Sequence, residues 1–184
     1  MLLKEKIENY TPYDEQEEKD KEQMLKFIND NEDVLTRNNI FGHFSSSAFV
    51  VNNEKNKMVV VYHNIYDGWI YPGGHADGEE DLLSVAVREV EEETGLKVKI
   101  LDKDIFSIQS LPVMGHVKRG KYVSAHTHYD VAYLLEADDS IPLVFREDES
   151  KGVKWIPFEE ADNDTMCDFI RPIHKKLVKK LNNR

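Results

Sequence analysis

The residues best suited to chemistry lie between Gly74 and Leu96, where a glycine-containing loop runs into a glutamate-rich segment. On a helix of about 100° per residue, Glu89 and Glu93 are about 40° apart, and Glu92 lies about 100° from Glu93. The three carboxylates then share one arc near the helix C-terminus, where the macrodipole disfavours anions. A bound cation would remove this conflict. Oxygen ligands without cysteine favour Mg²⁺, with Mn²⁺ as the alternative, over Zn²⁺.

The same segment contains a longer fixed pattern: Gly, five residues, Glu, seven residues, then Arg-Glu-apolar-any-Glu-Glu-any-Gly-apolar. This pattern resembles the Nudix box at every fixed position. The matching residues are Gly74, Glu80, Arg88, Glu89, Val90, Glu92, Glu93, Gly95 and Leu96. The resemblance implies a mixed sheet in an α/β/α sandwich. It also implies an enzyme that uses a divalent metal and water to cleave diphosphate linkages in nucleoside diphosphate derivatives.

The resemblance assigns roles within the box. The expected metal ligands are one backbone carbonyl and three carboxylates: Gly74, Glu89, Glu92 and Glu93. Glu92 is also expected to act in catalysis. Arg88 is expected to pair with Glu80 or Glu89 and so to hold a catalytic carboxylate in place. The alternative for the glutamates is a solvated acidic helix face.

Two further residue pairs bear on the ends of the box helix. Asp77 and Glu80 have the spacing of a capping box, with Asp77 as the N-cap. Gly95 fits the left-handed residue that ends many helices. The sequence therefore predicts a helix between these points.

A general base is expected outside the box. Some members of the family use a glutamate in a loop shortly before a strand that carries tryptophan. Glu149 lies six residues before Trp155, and Glu147 is the reserve candidate. Either side chain is otherwise an ordinary surface charge.

Substrate contacts are predicted at three places. Trp69 and Tyr71 are candidates to stack on a base, although aromatic residues of this kind are also common in cores. Arg119 lies in a basic turn and is expected to reach a substrate phosphate, the alternative being a solvated turn. His126 and His128 alternate on a predicted strand, so their side chains share one face, which lines the substrate cleft or meets solvent.

The identity of the substrate is less well defined. Pro112 lies 16 residues beyond Leu96, a spacing that resembles a mark of ADP-ribose pyrophosphatases. An ADP-ribose-like compound or a nucleotide sugar is therefore the expected substrate. The alternative is a non-catalytic Nudix-like domain that binds a nucleotide and regulates another process, but such domains commonly lose the acidic motif.

Composition limits the other classes of function. The chain has 184 residues, a formal net charge of −11 and one cysteine, Cys167. The negative charge disfavours binding to a nucleic acid polymer. The lone cysteine and the lack of a long apolar run indicate a cytoplasmic protein without a membrane partner. The expected partner is a small-molecule nucleoside diphosphate derivative, and a homodimer is left open.

The residue pattern predicts alternating helices and strands. Helices are expected at residues 12–30, in the box and at 164–181, and extended segments at 46–52, 57–63, 69–71, 97–100, 106–111, 123–135 and 152–156. Thr11 is the predicted N-cap of the first helix, and Pro172 is predicted to kink or divide the last one. The fold class is therefore α/β. Residues 1–40 are read as an N-terminal helical extension and residues 41–184 as the Nudix hydrolase domain.

Overall fold

The computed structural model describes residues 2–118, 120–145 and 150–184. Its helices are α1 (Leu3–Asn9), α2 (Glu15–Asp30), α3 (Leu82–Thr94) and α4 (Arg171–Asn182). Its strands are β1 (Gly42–Asn52), β2 (Lys57–His63), β3 (Gly68–Ile70), β4 (Gly73–His75), β5 (Lys99–Ile100), β6 (Ser107–Val113), β7 (His116–Lys118), β8 (Lys121–Val123), β9 (His126–Ala137) and β10 (Val153–Pro157). Residues 158–160 form a short 3₁₀ turn.

The main sheet is mixed, as predicted. Its central path is β10-β2-β1-β9-β5, with β3 beside β2, β4 beside β1 and β6 beside β9. The long strands β1 and β9 are parallel along residues 42–52 and 127–137, whereas the other pairs are antiparallel. Strands β7 and β8 form a separate hairpin. The register of this parallel pair determines which residues of β1 and β9 lie opposite one another near the site.

Helices cover both faces of this sheet, which confirms the predicted α/β/α arrangement. Alternate side chains of β1 point to opposite faces. Phe44 and Val50 enter a core shared with α1, α2 and α3. Phe49 and Val51 enter a second core shared with α4. Burial of these two apolar faces is the main force that holds the layers together.

The N-terminal segment differs from the prediction. It contains two helices rather than one, and α2 is capped by Asp14, whose carboxylate accepts from the Glu17 N–H at 3.0 Å. Thr11 is not the cap, because α2 begins only at Glu15 and residues 10–14 lie outside the helices. The core is continuous across residue 40, because α1 and α2 contribute Ile7 and Met24 to it. The domain division at that point stays a prediction.

A buried ion cluster fastens α2 to α4 and β6. Glu17 is 0% exposed and accepts hydrogen bonds from the hydroxyls of Tyr10 at 2.5 Å and Ser107 at 2.6 Å. Its carboxylate also lies 3.0 Å from the Lys176 ammonium and 3.3 Å from that of Lys180. Burial alone would raise the pKa of Glu17, but Lys176 and the hydroxyl donors outweigh it and lower that pKa to about 2.

Several predicted boundaries shift. Strand β1 begins at Gly42 rather than at residue 46, and residue 123 belongs to β8, so β9 begins at His126. Helix α4 begins at Arg171, so Pro172 occupies the first turn, where its missing N–H costs no helical hydrogen bond, and does not kink the helix. Among the described residues, none of the helices is long and apolar enough to span a membrane.

Candidate active site

The box helix α3 presents its apolar side to the sheet and its carboxylates to one edge of it. Leu82, Ala86 and Val90 are buried in the core. The helix ends at Gly95, whose φ of 71° is left-handed and whose N–H donates to the Glu91 carbonyl at 3.0 Å, as predicted. The start differs from the prediction. Asp81, not Asp77, precedes the helix, because Asp77 adopts a φ of 48° and pairs with Arg37.

The glycine loop and the first box glutamate fit closely together. A Cβ placed at Gly74 would overlap the Glu89 carboxyl group, so only glycine allows this approach. Arg88 donates to Glu89 at 3.3 Å, which makes Glu89 rather than Glu80 its partner among the two predicted. Burial raises the pKa of Glu89, while the charge of Arg88 opposes that rise. This carboxylate is therefore held beside the backbone of the loop.

A second box glutamate is fixed by the same loop. The Gly73 N–H donates to the Glu93 carboxylate at 3.0 Å. Glu89, Glu93 and Gly74 line one cavity of about 260 Å³, which we call the carboxylate cavity. These three residues offer carboxylate and carbonyl oxygens, which are the ligands of a hard divalent cation. The residues present therefore fit the divalent metal that the box implies.

Glu92 occupies a different environment. Its side chain is 52% exposed, and its carboxylate lies 3.9 Å from the Arg88 guanidinium. It is not among the described residues that line the cavity with Glu89 and Glu93. The structure therefore brings two of the three box carboxylates into one cavity. The metal-binding roles of all three and the catalytic role of Glu92 stay predictions.

A buried carboxylate, that of Asp130, also lines the cavity that contains Glu89 and Glu93. Asp130 is 2% exposed and accepts four hydrogen bonds from the side chains of Ser45, Ser47, Tyr71 and Gln109, at 2.7–3.1 Å. Burial raises the pKa of Asp130, and these four donors oppose the rise. Because its oxygens are engaged on several sides, Asp130 holds the strands and Tyr71 in place rather than facing a substrate.

A second cavity, of about 350 Å³, adjoins the first. It is rich in imidazoles, and we call it the histidine cavity. Its histidines are His43, His63, His75, His116, His126 and His128. Burial lowers the pKa of His63 to about 4 and that of His75 to about 3, with nearby cations adding to each shift. Burial likewise lowers the pKa of His43 and of His128, to which neighbouring histidines contribute. These four imidazoles are therefore neutral near pH 7.

The two cavities share a wall that includes two cationic side chains. Arg37, His63, Tyr66, His75, Lys118 and His128 line both of them. Arg37 also donates from its Nε to Asp77 at 2.7 Å, which holds its guanidinium at this wall. An anion that extends from the carboxylate cavity into the histidine cavity would therefore pass two cationic side chains.

The two aromatic residues predicted to stack on a base, Tyr71 and Trp69, lie in different environments. The Tyr71 ring is buried, and its hydroxyl donates to Asp130 at 3.1 Å, so it lines the carboxylate cavity from below. Trp69 packs edge-on against Tyr62, with the Lys154 ammonium 4.3 Å from its ring centre. It is not among the described residues lining either cavity, so this placement gives no support to a base-stacking role for Trp69.

The structure brings His126 and His128 to the histidine cavity, on the face predicted to line a cleft. Arg119, Glu147 and Glu149 lie outside the described residues. Their roles in phosphate binding and proton transfer stay predictions.

Sequence reasoning missed several residues of the site. Arg37, His43, Ser45, Ser47 and Tyr66 line one or both cavities. Three of them occupy alternate positions of β1, and extending the predicted strand from residue 46 back to residue 42 would have placed His43 and Ser45 beside the predicted histidine face. Arg37 and Tyr66 lie outside helices and strands, and they gave no local signal.

Comparison with known proteins gives concordant results. The model of the NUDIX domain family matches residues 42–181. An RNA pyrophosphohydrolase of Pelagibacter ubique (strain HTCC1062) is 32% identical over 140 residues, covering 73% of this chain and 88% of the relative. Human diphosphoinositol polyphosphate phosphohydrolase 2 is 27% identical over 159 residues, covering 86% of this chain and 79% of that protein.

Solved structures share the fold. A NUDIX-family hydrolase from Clostridium perfringens has a TM-score of 0.56 at 22% identity, covering 76% of this chain and 97% of that one. An Ap4A hydrolase of C. elegans has a TM-score of 0.53 at 18% identity, covering 76% and 95%. At these identities the likeness concerns the fold alone.

Proposed function

Because the chain belongs to the Nudix family and is a Nudix-type pyrophosphohydrolase, we propose that it cleaves the diphosphate linkage of a nucleoside diphosphate derivative. The observation that carries this proposal is the pair of adjoining cavities. One contains the box carboxylates, and the other, at about 350 Å³, is within the size range of small-molecule sites. The diphosphate would lie over the carboxylates while one attached group occupies the histidine cavity.

The metal in this proposal is Mg²⁺, with Mn²⁺ as the alternative. The ligands would be the carboxylates of Glu89 and Glu93, the carbonyl of Gly74 and, from the exposed side, Glu92. Such an ion, when bound, neutralises charge on the phosphoryl oxygens and lowers the pKa of a coordinated water. The fit of Glu89 against Gly74 and the hydrogen bond from Gly73 to Glu93 support this assignment.

The protein's own groups position the anion. The chain has a formal net charge of −11, so an anionic substrate needs local positive charge. Arg37 and Lys118 line both cavities and supply that charge along the path of the diphosphate. Arg88 fixes the Glu89 carboxylate, with which it pairs at 3.3 Å. Preorganised charge of this kind stabilises the transition state because it needs no rearrangement during the reaction.

Glu149 is the proposed general base, with Glu147 in reserve. A base acts in chemistry rather than in uniform binding, so Glu149→Gln should lower kcat more than it changes KM. Glu147→Gln is the matched comparison, and a large defect in that variant alone would transfer the role.

The substrate within this class is an ADP-ribose-like compound or a nucleotide sugar. Pro112, whose spacing suggested ADP-ribose, is exposed on β6 and is not among the described residues lining the two cavities. The cavities rather than this proline therefore support the proposal. A cytoplasmic location, a homodimer and the exclusion of nucleic acid polymers belong to the same proposal.

A panel of substrates tests it. Purified protein with Mg²⁺ or Mn²⁺ is given ADP-ribose, nucleotide sugars, dinucleoside polyphosphates and nucleoside triphosphates, with Glu93→Gln as the blank. Diphosphoinositol polyphosphate and 5′-triphosphorylated RNA are included because relatives are named for such substrates. We expect the highest kcat/KM on a nucleoside diphosphate derivative that yields two phosphomonoesters. Preference for the inositol compound or the RNA would refute the substrate class.

A further inference from the structure

Histidines are concentrated in one place in this molecule. The chain has seven, and six of them line the cavity beside the box carboxylates. The seventh, His174, is buried on α4. Nothing in diphosphate hydrolysis by carboxylate-bound metal requires so many imidazoles on one wall, so the cluster calls for its own explanation.

Three strands bring three of these imidazoles together. In the parallel pair, His43 of β1 lies opposite His128 of β9. In the antiparallel pair, His75 of β4 lies opposite Ser45, two residues along β1 and therefore on the same face as His43. One ring nitrogen from each of the three histidines lies within 4.8 Å of the others. The ring centres are 4.7–5.1 Å apart.

His43 supplies a second, independent observation. Its side chain is 4% exposed, and neither ring nitrogen has a well-aligned hydrogen-bond partner within residues 2–118, 120–145 and 150–184, although the backbone of Asn39 lies beside the ring. Burying an imidazole without a partner costs free energy, and native proteins rarely leave such a group unsatisfied. A ligand between the three rings would provide the missing partner.

His126 completes the arrangement. Its Nδ1 lies 2.8 Å from the Ser124 carbonyl oxygen, a contact that requires a proton on Nδ1. This tautomer leaves the lone pair on Nε2, which lies 3.2 Å from Nε2 of His128. A backbone carbonyl that fixes the outer nitrogen of an imidazole is the usual support of a metal-binding histidine.

We propose that His43, His75 and His128 form a transition-metal site, distinct from the carboxylate site, with His126 as a fourth ligand. Imidazole ligands without a carboxylate select borderline ions such as Zn²⁺, Co²⁺ or Ni²⁺ rather than Mg²⁺, which prefers oxygen. Three or four imidazole ligands also suit the tetrahedral coordination of Zn²⁺. Because His75 directly follows Gly74, an ion there would fasten the glycine loop of the box to β1 and β9.

Zinc binding by the metal-stripped, tag-free full-length chain tests this proposal in the presence of millimolar Mg²⁺. A chromophoric chelator competes for Zn²⁺ and reports affinity and stoichiometry, and Co²⁺ absorption in the visible range reports coordination by nitrogen. His75→Gln and His128→Gln remove ligands from two different strands. His116→Gln is the matched control, because it makes the same change on the same cavity outside the triad. Circular dichroism and urea melts of the metal-free variants establish folding.

We expect one Zn²⁺ per chain. Affinity should fall at least about 100-fold in whichever of the two triad variants is folded, since loss of even an outer-shell partner costs about 10- to 100-fold. His116→Gln and Glu93→Gln should bind as the wild type does. Equal Zn²⁺ affinity in the wild type and a folded triad variant would refute the site. Loss of Zn²⁺ binding in Glu93→Gln would assign the ion to the box instead. Neither result depends on hydrolysis, so failure here leaves the proposed function untouched.

Discussion

Replacing Glu17 with glutamine removes a charge from the buried cluster that joins α2 to α4 and β6. The side chain is 0% exposed and lies within 3.3 Å of both Lys176 and Lys180. The two lysine side chains are only 6% and 12% exposed, so neither is fully compensated by water after the substitution. Breaking a buried pair in this way is strongly destabilising.

The size of the effect follows from the pKa of Glu17. This pKa is about 2 in the folded protein, against an ordinary value of 4.5. At about 1.36 kcal/mol per unit, the shift corresponds to a contribution on the order of 3 kcal/mol at neutral pH. For a chain of this length, about 3 kcal/mol lowers Tm by about 6–12 °C.

The pH dependence has a defined sign. A carboxylate whose pKa is lowered on folding contributes fully above its unfolded pKa of 4.5 and loses that contribution as pH falls toward 2. The stability difference between the wild type and Glu17→Gln should therefore be constant from pH 7 to about pH 5.5. By pH 3 it should be smaller by about 2 kcal/mol.

Urea unfolding at several pH values between 7 and 3 measures this difference. Glu18→Gln is the control, because Glu18 is exposed on the same turn of α2, and we expect it to change stability by less than about 0.5 kcal/mol. A Glu17→Gln variant within about 1 kcal/mol of the wild type at pH 7 would show that the Glu17 charge does not stabilise the fold to this extent. So would a difference that does not narrow below pH 4.5.

Three further predictions concern the site. Gly74→Ala should reduce kcat at least about tenfold, because the new methyl group displaces the Glu89 carboxylate, and steady-state kinetics with intact circular dichroism checks this. Mg²⁺ at about ten times its Kd should raise the Tm of the wild type by about 3–5 °C, and an unchanged melt across a wide titration would contradict a formed site. Tyr71→Phe removes one of four donors to buried Asp130 and should destabilise the fold by about 1–3 kcal/mol in urea melts. Tyr62→Phe removes only the exposed hydrogen bond to Asp67 and should change stability by less than about 0.5 kcal/mol.

The local part of the site could be predicted from the sequence. The box helix, its end at Gly95 and the contact of Arg88 with Glu89 all depend on residues within a few turns of one another. Periodicity and capping preferences describe such neighbours well. Glu92 departs from this expectation, because a shared arc on a helix does not determine which side chains a neighbouring loop contacts. Gly74 lies against the Glu89 carboxyl group, and the Gly73 N–H donates to Glu93.

The non-local part could not be predicted. His43, His75 and His128 are separated by 32 and 53 residues, and only the register of β1 with β4 and β9 brings them together. The strand prediction began at residue 46 and therefore left out His43 and Ser45, which lie in β1. Asp77 was expected to cap a helix, but a pairing with Arg37, 40 residues away, draws it elsewhere.

The kcat of Glu89→Gln and Glu93→Gln, measured with Mg²⁺ on the best substrate of the panel, is the sharpest test of hydrolysis at the box carboxylates. Each substitution removes charge from the carboxylate pair that the glycine loop holds, and we expect kcat to fall at least about 10²-fold with the fold intact. Glu91→Gln is the control, because Glu91 pairs with Lys97 rather than facing the cavity, and it should retain the wild-type rate. Near-wild-type turnover in both box variants would contradict a catalytic metal site at these carboxylates.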